Sequence, residues 1–149
     1  MSQYDDIQPD TWRDLNETER LQSLQNIENT MAGIQGRPNL DVLHHEMPRG
    51  SFGYFDGEAL HINTEALNTD DVAENVDTVI HEGRHAYQQH AVDHPGFHDD
   101  PDEVAAWANN EGENYLSAEM YGQEAYLEQP VEADAWSYAS QIRQGIYEE

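Results

Sequence analysis

Apolar residues recur along this chain at two spacings. Leu21, Leu24, Ile27, Met31 and Ile34 fall three or four apart, which is one face of a helix. Asn16 with Glu19 three residues later makes a capping box, and Gly36 suits a left-handed stop. The spacing predicts a helix over 17–35 with one buried stripe. Residues 40–46 read as a strand. Phe52 and Tyr54 then alternate with Gly53 and Phe55, Asp56-Gly57 supplies a turn, and Leu60 and Ile62 alternate with Ala59, His61 and Asn63. An Asp-Gly pair between alternating runs predicts a hairpin.

The period returns to that of a helix at Val72, Val76, Val79, Ile80, Gly83 and Tyr87, which predicts a second helix from Asp70 to Ala91, with Thr69 as N-cap and Pro95-Gly96 after its end. Asp100, Pro101 and Glu103 open a third helix with a cap, a first-position proline and a capping box. Val104, Trp107, Ala108, Tyr115 and Ala118 form its inner face, with Gly112 and Gly122 as breaks or bends. Pro130 opens a fourth, which runs to Gly145 with Ala135, Trp136, Ala139, Ile142 and Ile146 inward. The expectation is an α+β fold: a small, mostly antiparallel sheet of about three strands on about four helices. No repeat or linker divides residues 1–149, so they read as one domain, with the polar first ten residues loose.

Composition narrows the partners. The chain of 149 residues carries 31 Asp and Glu against six basic residues, all arginine, for a net charge of -25. Binding to nucleic acid phosphates or to an anionic membrane needs clustered cations, so both are excluded as partners. Leu, Ile, Val and Phe make up only about 17% of the chain, a fraction that with this charge borders on disorder. Eight Tyr, three Trp and the regular spacing argue for a packed core instead. A lysine-free acidic surface suits a salt-rich cytoplasm, where screening removes self-repulsion. It also suits an acidic mimic of DNA, or a delivered effector that escapes ubiquitination. There is no cysteine, which excludes disulfides, thiolate metal sites and cysteine nucleophiles. No run of 18 apolar residues and no secretory leader are visible, so the expected compartment is the cytoplasm.

The chemistry concentrates in the second helix. His81, Glu82 and His85 form HExxH, here HEGRH. Two imidazoles one turn apart can reach a single zinc ion at about 2.0–2.1 Å. Glu82, rotated about 100° from His81, can reach water on that ion without ligating it. Gly83 costs about 1 kcal/mol in a helix interior, so its presence implies close packing against another element. The longer signature HExxHxxGxxH fails, since position 88 is Gln and position 91 is Ala. His90, His94 and His98 read as solvated or weakly metal-binding surface, which moves the search for a third ligand downstream. Glu132 leads, because the apolar stripe of the fourth helix turns it inward, where an unpaired carboxylate is costly. Asp134 ranks as a partner behind the ligands, and Glu128 ranks third. Tyr126, Tyr138 and His61 are the candidates to stabilise an oxyanion. Tyr87, Trp107 and Trp136 read as core, and Arg84 as paired with a nearby carboxylate.

With these residues in place, the chain resembles zincin-type zinc metallopeptidases whose third ligand is a glutamate. A GYFDGEALHIN hairpin before TVIHEGRHAYQ, with QPVEADAW downstream, looks like the compact ImmA/IrrE-type peptidases and the metallopeptidase domains of phage proteins and polymorphic toxins. The resemblance spans about residues 40–145. It implies His81, His85 and Glu132 as zinc ligands, Glu82 as catalytic base, and a zincin-like fold whose sheet edge takes an extended protein or peptide substrate by strand addition. The expected reaction is amide hydrolysis by a metal-activated water. The rival readings are an acidic binding protein, as mimic or inhibitor, and a zincin that binds metal without cleaving.

Overall fold

The structure is a computed structural model, and it describes residues 4–147. A 3-10 turn, Asp5–Ile7, leads into α1 (Pro9–Arg13), α2 (Glu17–Gln35), β1 (Val42–His45), β2 (Gly53–Phe55), β3 (Leu60–Asn63) and α3 (Thr64–Leu67). Then follow α4 (Val72–Asp93), α5 (Pro101–Asn109), α6 (Ala118–Tyr121), α7 (Gln123–Glu128) and α8 (Pro130–Tyr147), with a second 3-10 turn at Gly112–Asn114. The fold is α+β, with more and shorter helices than the four expected. No helix among the described residues is long and apolar enough to cross a membrane.

Local chemistry sets the helix ends. Asn16 and Glu19 form the expected reciprocal box at α2, and Gly36 closes it at φ 76°. Asp71 rather than Thr69 caps α4, accepting from the Glu74 amide. Asp100 caps α5 with bonds from Asp102 and Glu103, but the Glu103 carboxylate turns to His98 Nε2 at 2.7 Å instead of closing a box. The predicted third helix stops at Asn109. Tyr115 therefore leaves its inner face and lies in the loop that follows.

The sheet has the order β1-β3-β2 and is mixed. β2 pairs antiparallel with β3, Phe55 opposite Leu60, while β1 runs parallel to β3, Val42 opposite Leu60. The expected mostly antiparallel sheet is corrected in this respect, because alternation fixes a strand's faces and says nothing of its direction. The α2 side chain of Gln25 anchors the start of β1. Its amide donates to the Leu40 carbonyl and its oxygen accepts from the Val42 amide, both at 2.8 Å.

The main core joins α2, the sheet, α4 and the end of α8 through Leu24, Ile27, Met31, Leu60, Ile62 and Ile80. The opening segment is anchored rather than loose from Tyr4 onward. Ile7 and Trp12 are fully buried, and the Tyr147 hydroxyl donates to the Ile7 carbonyl; residues 1–3 lie outside the described residues. Ile34, assigned to the buried stripe, is 63% exposed, and Glu28 points inward instead. Glu28 forms a fully buried bidentate pair with Arg37, at 2.7 Å for each bond, and also accepts from the Leu40 amide.

That ion pair explains the glycine inside HEGRH. A Cβ at Gly83 would lie 2.8 Å from Arg37 Nη2 and 3.1 Å from Glu28 Oε1. Both groups are fixed by their other bonds, so α4 can rest on α2 only where it lacks a side chain. Gly83→Ala is therefore expected to destabilise by about 1–3 kcal/mol in urea unfolding, despite alanine's helix preference of about 1 kcal/mol. A gain in stability would show that the packing is looser than described.

Candidate metal centre

α4 and α8 make the most extensive helix contact among the described residues. Between them, His81, His85 and Glu132 meet. His81 Nε2 lies 3.0 Å from Glu132 Oε1, His85 Nε2 lies 3.3 Å from Glu132 Oε2, and the two Nε2 atoms are 3.2 Å apart. Four-coordinate ligands at 2.0–2.1 Å from one ion stand about 3.3 Å from each other. The three residues therefore present two nitrogens and a carboxylate at the separations an ion requires, and this buried group can hold a metal ion.

Glu132 is 3% exposed and sits in the first turn of α8, where the helix dipole favours an anion. Burial would raise its carboxyl. Bonds from His81 and His85 and from the Tyr115 hydroxyl outweigh that and hold it well below the usual carboxylate range. The same contacts act on His85. Burial pulls it down, but Glu132 and the charge of Glu82 raise it to about 9. The Tyr115 hydroxyl donates to Glu132 Oε2 at 2.5 Å and that of Tyr126 to Oε1 at 3.3 Å. Burial and Glu132 push Tyr126 up to about 12, so its phenol remains a donor in neutral solution.

Glu82 points to the same space, with Oε2 4.0 Å from His81 Nε2. Burial raises its carboxyl, opposed by His85 and His81 and by the Phe55 backbone amide. The cluster floors a cavity of about 450 Å³, walled by Gly53, Tyr54 and Phe55 of β2 on one side and by Glu111, Tyr115 and Tyr126 on the other. β2 approaches α4 closely because Gly53 has no side chain; a Cβ there would fall 2.7 Å from Thr78 Cγ2. Its second edge faces away from β3.

Further residues hold this arrangement. His85 Nδ1 is 2.9 Å from Gln88 Oε1, whose amide donates to the Val131 carbonyl and to Asp134 Oδ2. Arg84 clamps the same Asp134 through two bonds, at 2.7 and 3.1 Å. Asn110 and Gln129 form a second polar network. Asn110 accepts from the Val131 amide at the start of α8 and donates to Gln129, which binds both backbone groups of Leu116. This network carries the loop holding Tyr115 to Glu132.

The structure thus brings His81, Glu82, His85, Glu132 and Tyr126 to one cavity, with Asp134 behind His85. It does not bring the other candidates. His61 bonds Asp56 at 2.7 Å and stacks on Tyr54, because the β2–β3 pairing turns it to that face of the sheet. Tyr138 packs on the main core under Arg84. Glu128 ends α7 and is exposed, one residue short of the α8 proline. Trp136, read as core, is 42% exposed and covers His81 with ring centroids 4.3 Å apart. Trp107 is buried as expected, while Tyr87 is half-buried and bonds His98 through its hydroxyl. His90 and His94 stack on each other. Tyr115 and Gln88 escaped the sequence reading. Gln88 had a signal, since it stands three residues from His85 on the same helical face; Tyr115 had none, because its reach depends on where α5 ends.

No protein-family model matches the chain, and no curated protein or solved structure matches it either.

The raised His85 sets a pH dependence for the metal-free protein. A histidine lifted from 6.5 to about 9 contributes stability that is complete below pH 6.5 and is lost as pH climbs through about 9. Melting in a chelator should fall by roughly 5 °C between these limits relative to His85→Gln, corresponding to on the order of 2 kcal/mol. Parallel profiles for the two proteins would contradict the His85–Glu132 coupling.

Proposed function

We propose that this protein is a zinc-dependent peptidase of zincin type, and that HEGRH and Glu132 are its metal site. The observation that carries the reading is the convergence of His81 Nε2, His85 Nε2 and Glu132 in one buried cluster beneath an open cavity. The cysteine-free nitrogen and oxygen donor set suits zinc, with three protein ligands leaving one position open. Zinc, when bound, supplies a Lewis acid that activates water and polarises a carbonyl.

The remaining work falls to the protein's own side chains. Glu82, in a buried place that favours its proton, accepts a proton from the attacking water and delivers it to the leaving amine. Tyr126, a phenol at the cavity wall, would donate to the oxygen that gains charge by turning its hydroxyl from Glu132 Oε1, which it meets at 3.3 Å. Gln88 and Asp134 keep His85 turned so that Nε2 faces the cluster. The outer edge of β2 is the surface on which an extended peptide would add as a strand, its backbone paired at Gly53, since the Phe55 amide faces Glu82. A zincin that binds metal without turnover shares these ligands; the open cavity over Glu82 favours the enzyme. The acidic-mimic reading does not account for a buried glutamate against two histidines.

Glu82→Gln separates these readings. The variant should keep about one zinc per chain and lose peptide hydrolysis by roughly 10²–10⁴-fold. The assay is cleavage of a mixed peptide library followed by mass spectrometry. Undiminished cleavage by Glu82→Gln would remove the proposed base.

A further inference from the structure

The two histidines are supported unequally. The Nδ1 of His85 is met by Gln88, but the Nδ1 of His81 is buried and meets no partner among the described residues. Once Nε2 of His81 ligates a metal, Nδ1 must carry the hydrogen, and a buried N–H without an acceptor is costly. A second orphan lies one turn back on the same face of α4. Asp77 Oδ1 is buried and also meets no partner among the described residues, while Arg143 of α8 donates to Oδ2 at 3.2 Å. Asp77 and His81 both line one small cavity of about 140 Å³, together with Glu74, Thr78, Glu82, Tyr126 and Trp136. It has room for a water, which would accept the hydrogen of His81 and donate one to Asp77.

We propose that Asp77 positions His81: its Oδ1 accepts, through one water held in this cavity, the hydrogen on His81 Nδ1. The inference rests on the zinc reading of the cluster. Each histidine then has an orienting partner on its own helix, Gln88 three residues after His85 and Asp77 four residues before His81. Each partner is in turn fixed to α8, Gln88 through Asp134 and Asp77 through Arg143. The carboxylate also favours the tautomer of His81 that leaves Nε2 free to bind metal.

The test compares zinc affinities of full-length variants by competition with a chromophoric chelator. Asp77→Ala should weaken zinc binding by about 10–100-fold, and Asp77→Asn, which keeps an acceptor of the same shape, should fall between. Glu74→Ala removes a charge from the same cavity wall but no orphan, and should stay within about threefold of wild type. In the zinc-loaded protein the His81 Nδ1 hydrogen should give an exchange-protected NMR signal that Asp77→Ala loses. Melting of the metal-free variants checks that they fold; the lost Arg143 pair is half-exposed and worth little. Equal zinc affinity and an unchanged His81 signal in Asp77→Ala would overturn the proposal, as would an equal loss in Glu74→Ala. A wild type that takes no zinc would instead remove the metal reading, and this inference with it.

Discussion

A carboxylate almost wholly removed from water governs this structure. Glu132, alone, would cost several kcal/mol to bury. Two imidazoles and two phenols meet it, from α4, from the loop after α5 and from α7. These contacts fix which face of α8 turns toward α4, and they require α5 to end early enough for Tyr115 to arrive. The wall of the cavity formed by Tyr115 and Tyr126 follows from that packing. A carboxylate placed only for stability could be replaced by an apolar side chain at little cost. Its pairing with two histidines one turn apart is what a cation site requires.

The rest of the electrostatics is organised by scarcity. With six cations among 31 carboxylates, four arginines join separate segments of the chain. Arg20 binds the Leu67 and Thr69 carbonyls and Asp70, Arg37 joins Glu28, and Arg84 and Arg143 tie α4 to α8. Arginine suits this use, since its planar fork satisfies a carboxylate through two bonds at once. Lysine, a point charge on a flexible stem, would hold less geometry. The same helix pair therefore carries the candidate ligands and two of the ion pairs that set their distance.

Much of this was legible in the sequence. Periodicity placed α2, α4 and α8 within a few residues, and the Asn16–Glu19 box marked the start of α2. The i, i+4 pairing of His81 and His85 and the inward phase of Glu132 followed from the helical repeat. What was missed has a common cause. Strand direction in β1, the burial of Glu28 in place of Ile34 and the reach of Tyr115 are set by partners distant in the chain. Local spacing carries no record of them. Gly83 was legible as a sign of close approach, but the Glu28–Arg37 pair that approaches it was not. Trp136 was misplaced because a wide aromatic at the edge of an apolar stripe can serve as core or as cover.

The most direct measurement is the zinc content of the purified, tag-free protein by elemental mass spectrometry, beside His81→Ala and Glu132→Ala. About one zinc per chain in the wild type and little in either variant is the expected result. A folded wild type without zinc, or variants that hold it undiminished, would contradict the assignment of His81, His85 and Glu132 as the metal site.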